Sequence, residues 1–214
     1  MPDDTRTWAL IHAERKGVAA TLEELTPDQW AAQSLCGDWT VHVLAAHILA
    51  GAEQTTGHFL GGMAASGFRF NAFMDRDAHR LGQLAPGQII DRLRQRTTTT
   101  NHPPAPAMAM LGEVVVHGED IRRPLGLPGT VADEAANACL QMYTKASFPV
   151  GGKKRIGGLR LVTTDTGWSW GAGPEVSGPA MSMLLAMTGR AAGMDQLAGD
   201  GAAELGQRIA AQAR

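Results

Sequence analysis

The chain has 214 residues, 44% of them hydrophobic, and its 19 Lys+Arg against 21 Asp+Glu give a formal net charge of -2. This balance excludes an electrostatic nucleic-acid binder, because no basic surface can neutralise phosphates, and no apolar run approaches the roughly 20 residues of a membrane span. The N-terminus lacks the basic and apolar order of a signal peptide and the two cysteines, Cys36 and Cys139, lie far apart, so we expect a globular cytoplasmic protein without a disulfide, a nucleic-acid partner or a membrane partner.

The first part of the chain reads as helices separated by proline and glycine. An apolar stripe from Trp8 to Leu25 at helical spacing predicts the first helix. The segment Thr26-Pro27-Asp28-Gln29 is typical of a helix start, with a capping threonine, a proline at the first helical position and a glutamine three residues after the cap. Thr40 is the next candidate cap, and we expect its helix to continue to about Leu60.

Three more helices are predicted before residue 150. Pro86 begins a helix that ends at threonines 97–100, and a last helix is expected over 132–147. Between them, Val114-Val115-Val116 favours a strand by propensity, but we predict a helix over 107–123 because a lone strand would have no partner. Four long amphipathic segments with modest connections predict an antiparallel four-helix bundle.

The composition changes near residue 150. Pro149, paired glycines and a short basic run predict a linker at about 149–154, which divides the chain into domains 1–150 and 151–214. Beyond it, alternation over 159–164, a turn, and a segment with Trp168 and Trp170 predict strands, with helices near the end. We therefore predict a mainly α protein with a small α+β module: a helical bundle followed by a small domain of a sheet and helices.

One histidine pattern recurs in the chain. A carboxylate four residues before a histidine occurs at Asp38/His42, Asp75/His79 and Glu113/His117. The second pair lies among charges typical of a solvated helix face, and Asp38 precedes the helix that holds its histidine. Glu113/His117 instead encloses three valines, where a buried charge is unfavourable unless something compensates it.

His47 is the comparable polar residue on the other apolar helix. Together, His47, Glu113 and His117 suit a first-row divalent ion, and three protein ligands on zinc leave a position open for water or substrate. The alternative is a direct hydrogen bond between His47 and Glu113, with His117 an ordinary core histidine. Asp120, three residues after His117, can orient that imidazole or pair with an arginine at the surface. A cysteine nucleophile, Cys36 near His42, is a weaker candidate because no supporting Asn or Asp is visible.

Two segments, residues 36–48 (CGDWTVHVLAAHI) and 113–126 (EVVVHGEDIRRPLG), resemble the signatures of the mycothiol-dependent maleylpyruvate isomerase family, whose members are DinB-like helical bundle proteins. The tail around Val176-Ser177-Gly178-Pro179-Ala180 is similar to the sterol-carrier-protein-like C-terminal domain of that family. The chain departs from the family pattern at Val43, where Asp is common, so the capping box after Thr40 is missing.

The resemblance implies that the metal ligands are His47, Glu113 and His117 and that the cofactors are a divalent ion and mycothiol. Zinc is the first expectation, with nickel, iron and manganese as alternatives. The resemblance also implies that the metal holds mycothiol as a thiolate, which adds to a conjugated double bond, permits rotation and leaves again. Cationic groups should face an anionic substrate, and the candidates are Arg122, Arg123 and Arg190.

Three functional hypotheses follow. The first is a metal- and thiol-dependent isomerase or S-transferase that acts on a small electrophile, as a monomer or homodimer. The second is a metal- or thiol-binding sensor of the same fold without turnover. The third is a structural module in which His47, Glu113 and His117 only bond to one another.

Overall fold

The computed structural model describes residues 4–147 and 150–212. Contacts divide the chain into two compact units, Pro2–Thr130 and Val131–Arg214. This division comes earlier than the predicted linker at 149–154, of which Pro149 lies outside the described residues. The domain limits 1–150 and 151–214 therefore stay a prediction, and the two units are described separately below.

Seven helices build the described part of the first unit: α1 (Asp4–Glu23), α2 (Pro27–Ala31), α3 (Val41–Glu53), α4 (Thr56–Ala65), α5 (Phe70–Leu81), α6 (Pro86–Gln95) and α7 (Ala107–Arg122). Helix α1 packs against α6 and α7, and α3 packs against α5, α6 and α7. The core thus lies between α1, α3, α6 and α7. The predicted mainly α fold with a helical bundle is confirmed.

Capping threonines mark the starts of α2, α3 and α4. Thr26 forms the capping box of α2, since its hydroxyl accepts from the Gln29 N–H at 3.3 Å and the Gln29 side chain accepts from the Thr26 N–H at 2.9 Å. The Thr40 hydroxyl accepts from the Val43 N–H at 3.4 Å and begins α3 without a capping box. The expectation that this helix reaches Leu60 is wrong, because α3 ends at Glu53 and Thr55 caps the next helix.

Two helices of this unit show where local pattern decides the outcome. Helix α7 covers the segment with three consecutive valines, which are buried, so the predicted helix is confirmed and the strand is not formed. Helix α5 was not predicted, because its sequence alternates charged and apolar residues and follows a glycine-rich stretch. Its buried side chains, Phe73, Ala78 and Leu81, recur at helical spacing and face α3 and α4.

The second unit combines a three-stranded sheet with helices. Its described elements are α8 (Asp133–Tyr143), α9 (Gly152–Ile156), β1 (Arg160–Thr163), β2 (Ser169–Gly171), β3 (Glu175–Gly178), α10 (Ala180–Met187), a 3-10 helix (Ala191–Gln196) and α11 (Ala202–Gln212). Strand β1 is central, antiparallel to β2 and parallel to β3. Helix α10 is buried and packs against α8, which explains why α8 groups with this unit. The predicted linker contains the short helix α9.

Candidate metal centre

Helix α3 carries His47 into the core of the first unit. The helix is strongly apolar around this residue, with Leu44, Ala45 and Ala46 fully buried. His47 itself is 7% exposed. Among residues 4–147 and 150–212, its ring forms no hydrogen bond, and the nearest carboxylate oxygen, Oε1 of Glu113, lies 3.6 Å from Nε2. Glu113 is therefore the polar neighbour of this imidazole, at a distance longer than a hydrogen bond.

Helix α7 presents three polar side chains toward one side. Glu113, His117 and Asp120 are spaced by four and three residues, which places them along one face of a helix. The Glu113 side chain is 26% exposed and that of His117 is 15% exposed, whereas Asp120 is fully buried. This face meets α3, because α3 and α7 pack against each other.

His47 approaches both of the other side chains predicted as metal ligands, but the described residues do not bring ligand atoms of all three within 4.8 Å of one another. The rings of His47 and His117 are edge to face with centroids 5.0 Å apart, and Glu113 is the carboxylate 3.6 Å from His47. Asp120 is hydrogen-bonded to His117, whose Nδ1 lies 2.9 Å from Oδ2. Since a carboxylate only accepts, Nδ1 carries the hydrogen and Nε2 is left for another partner. Because Asp120 is buried, the alternative of a surface pair does not describe it.

The loop between α2 and α3 covers this group. The Leu35 N–H donates to the backbone carbonyl of Asp120 at 3.1 Å, which holds the loop against α7. The Trp39 ring lies against His47 with centroids 4.9 Å apart, and its Nε1 donates to Asp75 at 3.0 Å. Cys36 lies at the other histidine: ligand atoms of Cys36, His117 and Asp120 are all within 4.8 Å of one another.

The electrostatics of the group keep one histidine neutral and the other charged. Burial lowers the pKa of His47 to about 3, the neighbouring His117 adds to this effect, and Asp120 opposes it. Burial also lowers the pKa of His117, but the hydrogen bonds and charges of Asp120 and Cys36 outweigh it and raise that pKa to about 9. Burial raises the pKa of Glu113 against the opposing influence of His117 and Arg15. At neutral pH, His47 is thus a neutral imidazole.

Comparison with known proteins finds a family model that matches part of the helical unit. Residues 11–102 match the family model of the mycothiol maleylpyruvate isomerase N-terminal domain. This match shows that residues 11–102 form a domain of the mycothiol maleylpyruvate isomerase N-terminal type. The matched segment includes Cys36 and His47 but ends before α7.

Two solved structures share the fold of this chain. The crystal structure of the mycothiol-dependent maleylpyruvate isomerase aligns with a TM-score of 0.65 at 16% identity and covers 94% of each chain. A histidine-to-alanine mutant of that isomerase aligns equally well at 15% identity. At this identity the likeness shows a shared fold. No curated protein sequence matches the chain significantly, and no described helix has the length and hydropathy that a membrane crossing requires.

Glu113 lies against a glycine and shares a small cleft with a buried arginine. Gly51 lies one turn after His47 on α3, and a Cβ added there would overlap the carboxylate, with the Glu113 Cδ only 3.2 Å away. Arg15 of α1 is 3% exposed and lines a small cleft together with Gly51 and Glu113. Its guanidinium donates to the carbonyl of Thr99 at 2.9 Å, so backbone contacts fix its position.

Other residues singled out from the sequence lie elsewhere in the fold. His42 is bonded to the Leu84 carbonyl, at 3.0 Å from Nε2, whereas the histidine that interacts with Cys36 is His117. His79 lies 3.7 Å from Asp75 on an exposed face, as the sequence suggested. The candidate anion-binding arginines of this unit, Arg122 and Arg123, both approach Glu119, and Arg122 is buried. Arg190 belongs to the second unit, where it donates to the Thr188 carbonyl at 3.0 Å.

The donor set fits a divalent ion. Two imidazoles and a carboxylate are borderline and hard donors that zinc and its neighbours accept. The contact between His47 Nε2 and the Glu113 carboxylate, at 3.6 Å longer than a hydrogen bond, is the observation that favours an ion shared by the two side chains. Asp120 on Nδ1 of His117 is the carboxylate–histidine arrangement that commonly supports a metal ligand.

Proposed function

We propose that the chain is a metal-dependent enzyme that uses mycothiol, or a thiol of its class, to isomerise a small unsaturated acid or to transfer the thiol to it. The observation that supports the proposal is the approach of the buried His47 both to Glu113, 3.6 Å from Nε2, and to the ring of His117, 5.0 Å away between centroids. The match to the mycothiol maleylpyruvate isomerase N-terminal domain supports the thiol and the class of electrophile. The cytoplasm remains the predicted location, and monomer or homodimer the predicted state.

Each side chain of the candidate metal centre has its own role in the proposed function. His47 offers a neutral imidazole because burial lowers its pKa to about 3. Asp120 holds His117 in one orientation and one tautomer through Nδ1. Glu113 supplies negative charge beside both rings, while Arg15 keeps part of that charge balanced from behind. Trp39 covers His47 and limits the access of water to this side.

A bound divalent ion and a thiol would supply the bond-making chemistry. A divalent ion, zinc first with nickel, iron and manganese as alternatives, would be held by His47, Glu113 and His117 and would lower the pKa of a coordinating thiol enough for the thiolate to exist at neutral pH. The thiol would supply the nucleophile for a conjugated electrophile such as maleylpyruvate.

Metal content and turnover test the proposal together. We expect the purified full-length chain to bind stoichiometric zinc and to consume maleylpyruvate only when mycothiol is present. His47→Ala should lose both the metal and the activity. His79→Ala is the control, because it removes a histidine from an exposed face outside the candidate metal centre. Full metal occupancy in His47→Ala would refute the ligand set, and a zinc protein without thiol-dependent turnover would favour the sensor.

A further inference from the structure

Cys36 has a fixed place beside the candidate metal centre that the proposed function does not use. The loop that carries it is held on α7 by the Leu35 N–H to Asp120 carbonyl bond of 3.1 Å. The Cys36 N–H donates to the Ser34 hydroxyl at 3.1 Å, and Gly37 turns the chain with a positive φ of 55°. The thiol is half-buried, and the position of its backbone is set by these local contacts.

The side chain of Cys36 completes a cluster of metal-ligand types. Its sulfur lies within 4.8 Å of ligand atoms of both His117 and Asp120. Asp120 is already bonded to Nδ1 of His117. A second observation points to a ligand here: His47, only 7% exposed, faces the ring of His117 with centroids 5.0 Å apart, and its 3.6 Å contact with Glu113 is longer than a hydrogen bond.

We propose that Cys36 is a further ligand of the ion held by His47, Glu113 and His117. The inference rests on the proposed function, since it presumes an ion at that trio. A thiolate added to two imidazoles and a carboxylate gives four protein donors, a number that zinc accepts in tetrahedral sites. It also makes the site softer, which favours zinc or cobalt over magnesium and calcium.

A protein thiolate in this position affects how an external thiol enters. The incoming thiol exchanges with Cys36: its S–H bond breaks, its sulfur takes the coordination position, and the proton passes to the sulfur of Cys36. No oxidant or reductant is needed, because one thiolate replaces another. Cys36 thus holds the position in the resting protein and releases it to the thiol.

Cobalt substitution tests the role of Cys36 without measuring activity. We would load the metal-free, full-length chain with stoichiometric Co²⁺ in a buffer without thiol and record its absorption. A bound Co²⁺ gives visible d–d bands, and a thiolate ligand adds a charge-transfer band in the near ultraviolet. Circular dichroism would confirm that each variant is folded. The control is Cys139→Ala, which removes the other cysteine of the chain from α8 of the second unit.

Wild type and Cys139→Ala should show both sets of bands. Cys36→Ser should keep the visible bands and lose the charge-transfer band. Visible bands without charge transfer in wild type, or charge transfer that persists in Cys36→Ser, would overturn the role of Cys36 and leave the proposed function standing. Wild type without visible bands would overturn the metal site and, with it, this inference.

Discussion

Gly51 provides a way to move one predicted ligand without removing it. A methyl group at this position would overlap the Glu113 carboxylate, whose Cδ lies 3.2 Å from the added Cβ. The overlapped atoms are the end of a side chain rather than backbone, so the carboxylate can turn away. Gly51→Ala therefore displaces a ligand of the proposed ion while the helices stay in place.

The expected changes in stability and in metal affinity differ in size. Overpacking in a core costs about 1–3 kcal/mol, and replacing glycine by alanine inside a helix returns about 1 kcal/mol. Because the Glu113 carboxylate can rotate away, the cost of the overlap should be at the low end of that range. We therefore expect Gly51→Ala to change the free energy of unfolding by no more than about 2 kcal/mol. Displacing Glu113 should lower zinc affinity about 10–100-fold, the range seen when support of metal ligands is lost.

A competition titration with a chromophoric chelator measures the affinity, and urea unfolding measures the stability. Gly61→Ala is the matched control, because Gly61 lies inside α4 and an added Cβ meets nothing within 4 Å. It should leave zinc affinity unchanged and stabilise the chain by up to about 1 kcal/mol. Unchanged zinc affinity in folded Gly51→Ala would refute the assignment of Glu113 as a ligand.

Three further results are expected around His117. Asp120→Asn should weaken zinc binding about 10–100-fold in the same competition titration, and wild-type affinity would contradict the support that Asp120 gives. Because the pKa of His117 is raised to about 9, zinc binding near pH 7.5 should release at least about one proton, which calorimetry in buffers of different ionisation enthalpy measures; no release would contradict the charged state. The raised pKa of His117 stabilises the metal-free fold fully below pH 6.5 and progressively less up to about pH 9. Chelator-treated protein should therefore unfold at a lower urea concentration at pH 9.5 than at pH 6. The reverse order would be inconsistent with the raised pKa.

Helices α1, α6 and α7 and the spacing within α7 could be predicted because they depend on local pattern, whereas α5 could not. Glu113, His117 and Asp120 share a face through helix periodicity alone. The approach of His47 to Glu113 is a contact between α3 and α7, and it followed from a rule about buried polar residues rather than from spacing. The missing capping box at Val43 did not move the start of α3, since the Thr40 hydroxyl still accepts a backbone N–H.

The position of Cys36 could not be read from the sequence. Cys36 lies near His117 because its loop is bonded to α7 through Leu35 and Asp120, two residues 85 positions apart. The same holds for Gly51 and Arg15, whose packing against Glu113 depends on how α1 and α3 meet α7. By contrast, the break after Glu53 had a local signal, the capping threonine Thr55, which the apolar run around it obscured.

The position of the ion itself tests the central claim most directly. Crystals of the full-length chain grown with zinc, measured at the zinc absorption edge, would locate it by anomalous scattering. The account predicts a peak about 2.0–2.2 Å from a ring nitrogen of His47, a ring nitrogen of His117 and a carboxylate oxygen of Glu113. A peak that His47 and Glu113 do not contact, or none in this group, would contradict it.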